Sequence, residues 1–129
     1  MARRKTTGPT EAELEILCVL WQRGPGTVRQ VNRALNETRP TGYTTTLKLM
    51  QIMLEKGLLV RDETVRPQVY RPAASKERTQ GRLLKDLMKR AFDGSAAELV
   101  LRALATQQAS PEDLAEIRRA IDEMRRGER

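Results

Sequence analysis

The chain contains no histidine, a single cysteine and only four aromatic residues among 129. Without histidine it has no imidazole acid or base, no His-ligated metal and no side chain whose ordinary titration falls near neutrality. The lone Cys18 excludes an internal disulfide and any Cys-pair metal or redox motif. Set in the run Ile16-Leu17-Cys18-Val19-Leu20, it is expected to pack as a small apolar residue. That cysteine usage suits a reducing cytoplasm, the expected location. No apolar run approaches the roughly 18 residues needed to cross a bilayer. The basic stretch Met1–Lys5 leads into polar residues and not into an apolar signal region, so no membrane insertion is expected. Trp21, Tyr43, Tyr70 and Phe92 are the aromatic residues. The core is therefore mainly aliphatic and modest, and a second copy of the chain would help to complete it.

Catalytic signatures are missing as well. There is no G-x-S-x-G and no phosphate-binding G-x-x-x-x-G-K-[ST]. Glu11, Glu13, Glu15, Glu98 and Glu112 read as isolated carboxylates on helix surfaces. The chain is not expected to be an enzyme, and no cofactor or metal is implied.

What is present is positive charge and strong helix punctuation. The formal charge is +7. Residues 1–74 hold twelve Lys and Arg against seven Asp and Glu, whereas 75–129 hold twelve against ten, so the excess sits in the first part. Residues 1–8 read as a flexible basic arm. Thr10-Glu11-Ala12-Glu13 is a capping box, and Leu14, Leu17, Cys18 and Trp21 follow at the spacing of one buried helix face. Gly24-Pro25-Gly26 ends that helix. Thr27-Val28-Arg29-Gln30 is a second capping box, with Val28, Val31 and Leu35 as its stripe. After the break at 36–42, a third helix runs from Tyr43 to Lys56, with Gly57 just past its end. Two helices joined by such a turn fit a helix-turn-helix. Leu58–Arg61 and Gln68–Arg71 read as the strands of a hairpin, with Pro67 at a strand edge or in the loop.

A further three helices follow. One is capped by Ser75 and runs to Phe92, one spans Ser95 to Gln108, and one starts at Ser110-Pro111-Glu112-Asp113. The expected fold is therefore mainly α with a small β-hairpin wing. A winged helix-turn-helix over residues 9–74 precedes a helical dimerisation region over 75–129. The stripes expected to meet a twin chain are Leu83 and Leu87, then Leu99, Val100 and Leu104, then Leu114, Ile117, Ile121 and Met124. The alternating charges between Glu112 and Arg126 read as a solvated helix face.

On the third helix, Thr46, Leu49, Met50 and Met53 can share the inward face. Thr44, Thr45, Lys48 and Gln51 are then left outward, with Ile52 beside them. The start of a recognition helix enters the major groove. There a threonine offers a methyl group to thymine and a hydroxyl to a base or phosphate, lysine reaches guanine or phosphate, and glutamine pairs with an adenine edge. Tyr43 can either stack on the sugar–phosphate backbone or plug the core. Thr27, at the start of the second helix, and Arg66, at the wing tip, are further candidates for DNA contact. So are Arg3 and Arg4, which with Lys5 could reach a neighbouring groove. A helix-turn-helix, a wing and a basic excess together point to double-stranded DNA. The other reading is a winged-helix protein-interaction adapter without specific DNA binding, which would elute early from heparin.

The chain resembles the penicillinase-repressor family of BlaI-, MecI- and CopY-like transcriptional regulators along nearly its whole length. The resemblance is carried by Thr10–Leu17 with Leu20-Trp21, by Gly26–Val31 with Ala34-Leu35-Asn36, and by Tyr43–Leu47 with Glu55–Leu59. Val69–Pro72 and Gly94–Val100 complete it. It implies a homodimeric repressor that binds an inverted-repeat operator, with base contacts at Thr44, Thr45 and Lys48. In several members a sensor metalloprotease partner leads to cleavage within the dimerisation helices, which puts the candidate cleavage region at Arg102 and Ala103. Those two residues follow Leu99-Val100-Leu101 where well-known members carry Asn-Phe. The cysteines of the copper-responsive branch have no counterpart near this C-terminus.

Overall fold

The computed structural model describes residues 8–106 and 109–127. Arg3 and Arg4 lie outside the described residues. The element order is α1 (Glu11–Arg23), α2 (Val28–Asn36), α3 (Tyr43–Glu55), β1 (Leu59–Asp62), β2 (Val69–Pro72), α4 (Lys76–Ala91), α5 (Ala96–Thr106) and α6 (Pro111–Arg125). This is a mainly α winged helix with a two-stranded antiparallel wing. No described helix is long and apolar enough to cross a membrane. The chain divides into two compact units between Leu83 and Leu84, inside α4.

In the first unit the helix starts are set locally. Thr10 and Thr27 each accept the N3 amide, from Glu13 at 3.2 Å and from Gln30 at 3.1 Å, while the Glu13 and Gln30 side chains accept the cap amides in return. α3 ends in a Schellman motif. The Leu58 amide donates to the Met53 carbonyl at 2.9 Å and the Gly57 amide to Leu54 at 3.2 Å. Gly57 takes φ +82, which an L side chain would resist, and turns the chain into β1.

The buried face of α1 differs from expectation. Glu13, Ile16, Leu17 and Leu20 face inward, one residue back from the expected Leu14, Leu17, Cys18 and Trp21. One residue is about 100° of helix. Leu14 and Trp21 are therefore only half-buried, and Cys18 is exposed, contrary to its expected packing. The rotation is possible because the inward-facing Glu13 carboxylate meets a cation. Its Oε1 accepts from Lys56 Nζ at 2.7 Å, so Glu13 is not the surface carboxylate expected.

Ile16, Val31, Met50 and Met53 are essentially shielded from water and join three helices, with Leu59 and Tyr70 of the wing closing the cluster. Each such burial contributes about 1.5–3 kcal/mol. The wing pairs Leu59 with Pro72 and Arg61 with Tyr70, each strand starting one residue later than expected. It is also tied to the α1–α2 turn: Gly26 and Tyr70 exchange backbone hydrogen bonds at 3.0 and 2.8 Å.

The three helices after the wing are different in kind. No residue of α4, α5 or α6 is buried. Ser75, Ser95 and Ser110 cap their helices through the amides of Arg78, Glu98 and Asp113. Asp93 and Gly94, at φ 52 and 78, take left-handed conformations that separate α4 from α5. Leu87, Val100, Leu101, Leu114, Ile121 and Met124 all stand open to solvent, Leu101 at 66% and Met124 at 76%.

Candidate nucleic-acid interface

α3 presents a polar outer face because its inner face is fully committed. Thr46, Met50 and Met53 are buried and Leu49 is half-buried, which leaves Thr44, Thr45, Lys48 and Gln51 exposed. Helical geometry puts Thr44, Lys48 and Gln51 on one side, with Thr45 and Ile52 alongside. Ile52 is 46% exposed. The helix starts at Gly42, which has no side chain to cap it, so the amides of its first turn have no side-chain acceptor.

Tyr43 does not plug the core. It is 45% exposed, and the Arg29 guanidinium of α2 stands 5.6 Å from its ring centroid. That is cation–π range. The contact places a positive charge beside the first turn of α3.

The charge around the face is sorted by pairing. Glu15 binds Arg39 through both oxygens at 3.0 and 2.9 Å, and Glu37 binds Arg23 at 3.3 and 2.7 Å. Glu63 takes Arg61 at 2.7 Å, and Glu13 takes Lys56. Glu13, Glu15, Glu37 and Glu63 are thus paired with other cations, Glu55 stays exposed at the end of α3, and among the described residues no ion pair engages Arg29 or Lys48. Burial pushes the Glu13 carboxyl up. The hydrogen bond from Lys56, those from the Thr10 amide and hydroxyl, and the Lys56 charge outweigh it, so Glu13 titrates below the usual carboxylate range. Glu37 is lowered by its hydrogen bond from Arg23 and by that residue's charge.

The remaining candidates are more dispersed. Thr27 Oγ1 is occupied by the Gln30 amide. Arg66 lies in the wing loop, where its Nη1 donates to the carbonyls of Glu63 at 2.8 Å and Val65 at 3.2 Å. Of the stripe residues, Leu83 is half-buried, as are Leu99, Leu104 and Ile117, while Leu87, Val100, Leu114, Ile121 and Met124 are exposed. Arg102 and Ala103 are exposed on α5.

The sequence profile described as penicillinase repressor matches residues 9–123, which takes in every element described above except the last two residues of α6. The chain belongs to the penicillinase repressor family. It is similar to the transcriptional regulator BlaI of Mycobacterium tuberculosis, in strains CDC 1551 / Oshkosh and ATCC 25618 / H37Rv. Each is 29% identical over 124 residues, covering 95% of this chain and 89% of the relative. The chain is accordingly a transcriptional regulator of the repressor type and not an enzyme.

Three features of this repressor escaped the sequence. Arg29 is one: it reads as an ordinary helix cation until Tyr43 is placed beneath it. The Glu13–Lys56 pair is another, spanning 43 residues. The third is the pair Asn32 and Asn36, both of which bond to the turn before α3. Their only signal is that asparagine, a poor helix former, recurs at i and i+4, once inside α2 and once at its last residue.

Proposed function

We propose that the chain is a cytoplasmic homodimer that represses transcription by binding an inverted-repeat operator in double-stranded DNA through α3. Residues 9–74 serve as the DNA-binding domain and 75–129 as the dimerisation domain. The observation that carries the reading is the exposed row Thr44, Thr45, Lys48 and Gln51, presented on a helix-turn-helix beside an Arg29–Tyr43 pair whose guanidinium makes no ion pair among the described residues. Thr44, Thr45, Lys48 and Gln51 read base edges, while Arg29, Tyr43, Thr27 and Arg66 hold the backbone. Arg3 and Arg4 would add to the neutralisation of phosphates.

The apolar stripes of α4, α5 and α6 support dimerisation. Three amphipathic helices without one buried residue do not stabilise themselves, and a twin chain offers the matching apolar surface. Cleavage near Arg102 and Ala103 by a sensor metalloprotease would divide that surface and release the operator.

Selection of bound duplexes from a random library, followed by footprinting, tests the reading. Two inverted half-sites with centres about one helical turn, or a whole multiple, apart are expected. A chain that enriches no sequence and elutes from heparin at low salt is an adapter instead.

A further inference from the structure

We infer that Asn32 and Asn36 of α2 are positioning residues for sequence discrimination, because they latch the start of α3 at a fixed rotation. The inference rests on the DNA-reading role proposed above. Thr41, two residues before α3, is held at both of its backbone groups. Its amide donates to Asn36 Oδ1 at 3.0 Å, and its carbonyl accepts from Asn32 Nδ2 and Asn36 Nδ2, each at 2.9 Å. Asn32 Nδ2 also donates to Thr46 Oγ1 at 2.9 Å, and that hydroxyl donates to the Gly42 carbonyl at 3.2 Å. Asn36 Nδ2 is anchored in turn on the Asn32 carbonyl at 2.8 Å. Both amide donors of Asn32 are therefore spent on the two points that bracket the first turn of α3.

Thr46 is 0% exposed, so its hydroxyl needs these partners and the latch has one satisfied arrangement. At 3.6 residues per turn, Thr44 and Lys48 each lie about 160° around the helix from Thr46. Fixing Thr46 inward therefore aims both of them outward. Side-chain atoms lie about 5–6 Å from the axis, so a 20° slip would move them by about 2 Å, more than a hydrogen bond tolerates. Such a slip would cost base discrimination while leaving the charges that hold phosphates in place.

The test compares the full-length chain with Asn32→Ala, Asn36→Ala and Thr46→Val. Each protein is measured on the duplex that the wild type selects and on a scrambled duplex of equal length. Leu20→Ala, a core truncation on α1 and not on the two latched helices, serves as the control for lost stability. Discrimination between the two duplexes is expected to fall about tenfold for Asn32→Ala, the scale of one misaligned base contact, with binding to the scrambled duplex changed less than about twofold. Thr46→Val added to Asn32→Ala should cause little further loss, because both break one latch. Should Asn32→Ala fail to fold, the exposed Asn36→Ala is expected to show the same effect in smaller measure. Wild-type discrimination in folded Asn32→Ala or Asn36→Ala overturns the inference, as does an equal loss in Leu20→Ala. A wild type that selects no sequence overturns the DNA-reading proposal itself, and this inference with it.

Discussion

Lys56 Nζ stands 2.7 Å from Glu13 Oε1, so the residue that caps the end of α3 is tied to the first turn of α1. The Glu13 side chain is only 4% exposed and that of Lys56 30%. The same Oε1 accepts the Thr10 amide at 2.9 Å. One carboxylate thus caps α1 and anchors the far end of α3, while the asparagine latch holds the near end.

The pair makes stability depend on acid. Glu13 titrates below its ordinary value in the folded chain, so its contribution is complete above the unfolded-state carboxylate pKa and fades as pH falls through the folded one. Glu13→Gln keeps an acceptor for the Thr10 amide but removes the charge facing Lys56. We expect a loss on the order of 2 kcal/mol at neutral pH, shrinking towards zero in acid. Urea melts of both proteins at a series of pH values read this directly. A difference that stays constant into acid would show that the ion pair contributes nothing.

Thr44→Ala with Thr45→Ala should abolish preference for the selected duplex while weak binding to bulk DNA persists. Neither side chain is buried, so the fold should survive. Gel shifts on selected and scrambled duplexes report the ratio. A ratio equal to that of the wild type would remove these hydroxyls from the reading face.

How legible all this was depends on distance along the chain. The capping boxes at Thr10, Thr27 and Ser110 and the break at Gly57 involve neighbours three or four residues apart, and the elements they bound are where the sequence puts them. The winged-helix order follows from them. The face of α1 was not legible in the same way. The run from Leu14 to Leu20 supports more than one stripe, and the observed one brings Glu13 against Lys56, 43 residues away. Cys18 turns outward with that rotation. Of the candidate site, Thr44, Thr45, Lys48 and Gln51 could be named because burial of Thr46, Met50 and Met53 leaves them on the exposed face of α3. Arg29, Asn32 and Asn36 could not, since their roles exist only after α2 and α3 are packed.

Charge substitutions near α3 should separate phosphate from base contacts. Arg29→Ala is expected to weaken binding about equally on all duplexes and to lower the slope of log affinity against log salt by about 1. Lys48→Ala, if it reads a base, should cost roughly 1–3 kcal/mol on the selected duplex and far less on scrambled DNA. Titrations at several salt concentrations give both quantities. Identical behaviour of the two variants would mean that both residues serve only as phosphate contacts.

The exposed stripe of the second unit can be challenged without touching the first. Ile121 is 49% exposed and Met124 76%, one turn apart on α6, and the core cluster lies wholly in the first unit. Ile121→Asp with Met124→Asp places two charges where a twin chain would have to exclude water, and burying an unpaired carboxylate costs several kcal/mol. A lone chain would feel little, because those positions already face solvent. Sedimentation should therefore show a dimer becoming a monomer at micromolar concentration, with the thermal transition of the first unit retained. Affinity for an inverted repeat should fall towards that for a single half-site, since linking two weak sites supplies most of the avidity. A chain ending at Ala91 should behave alike. If the doubly charged variant still sediments as a dimer, the twofold contact lies elsewhere than on α6.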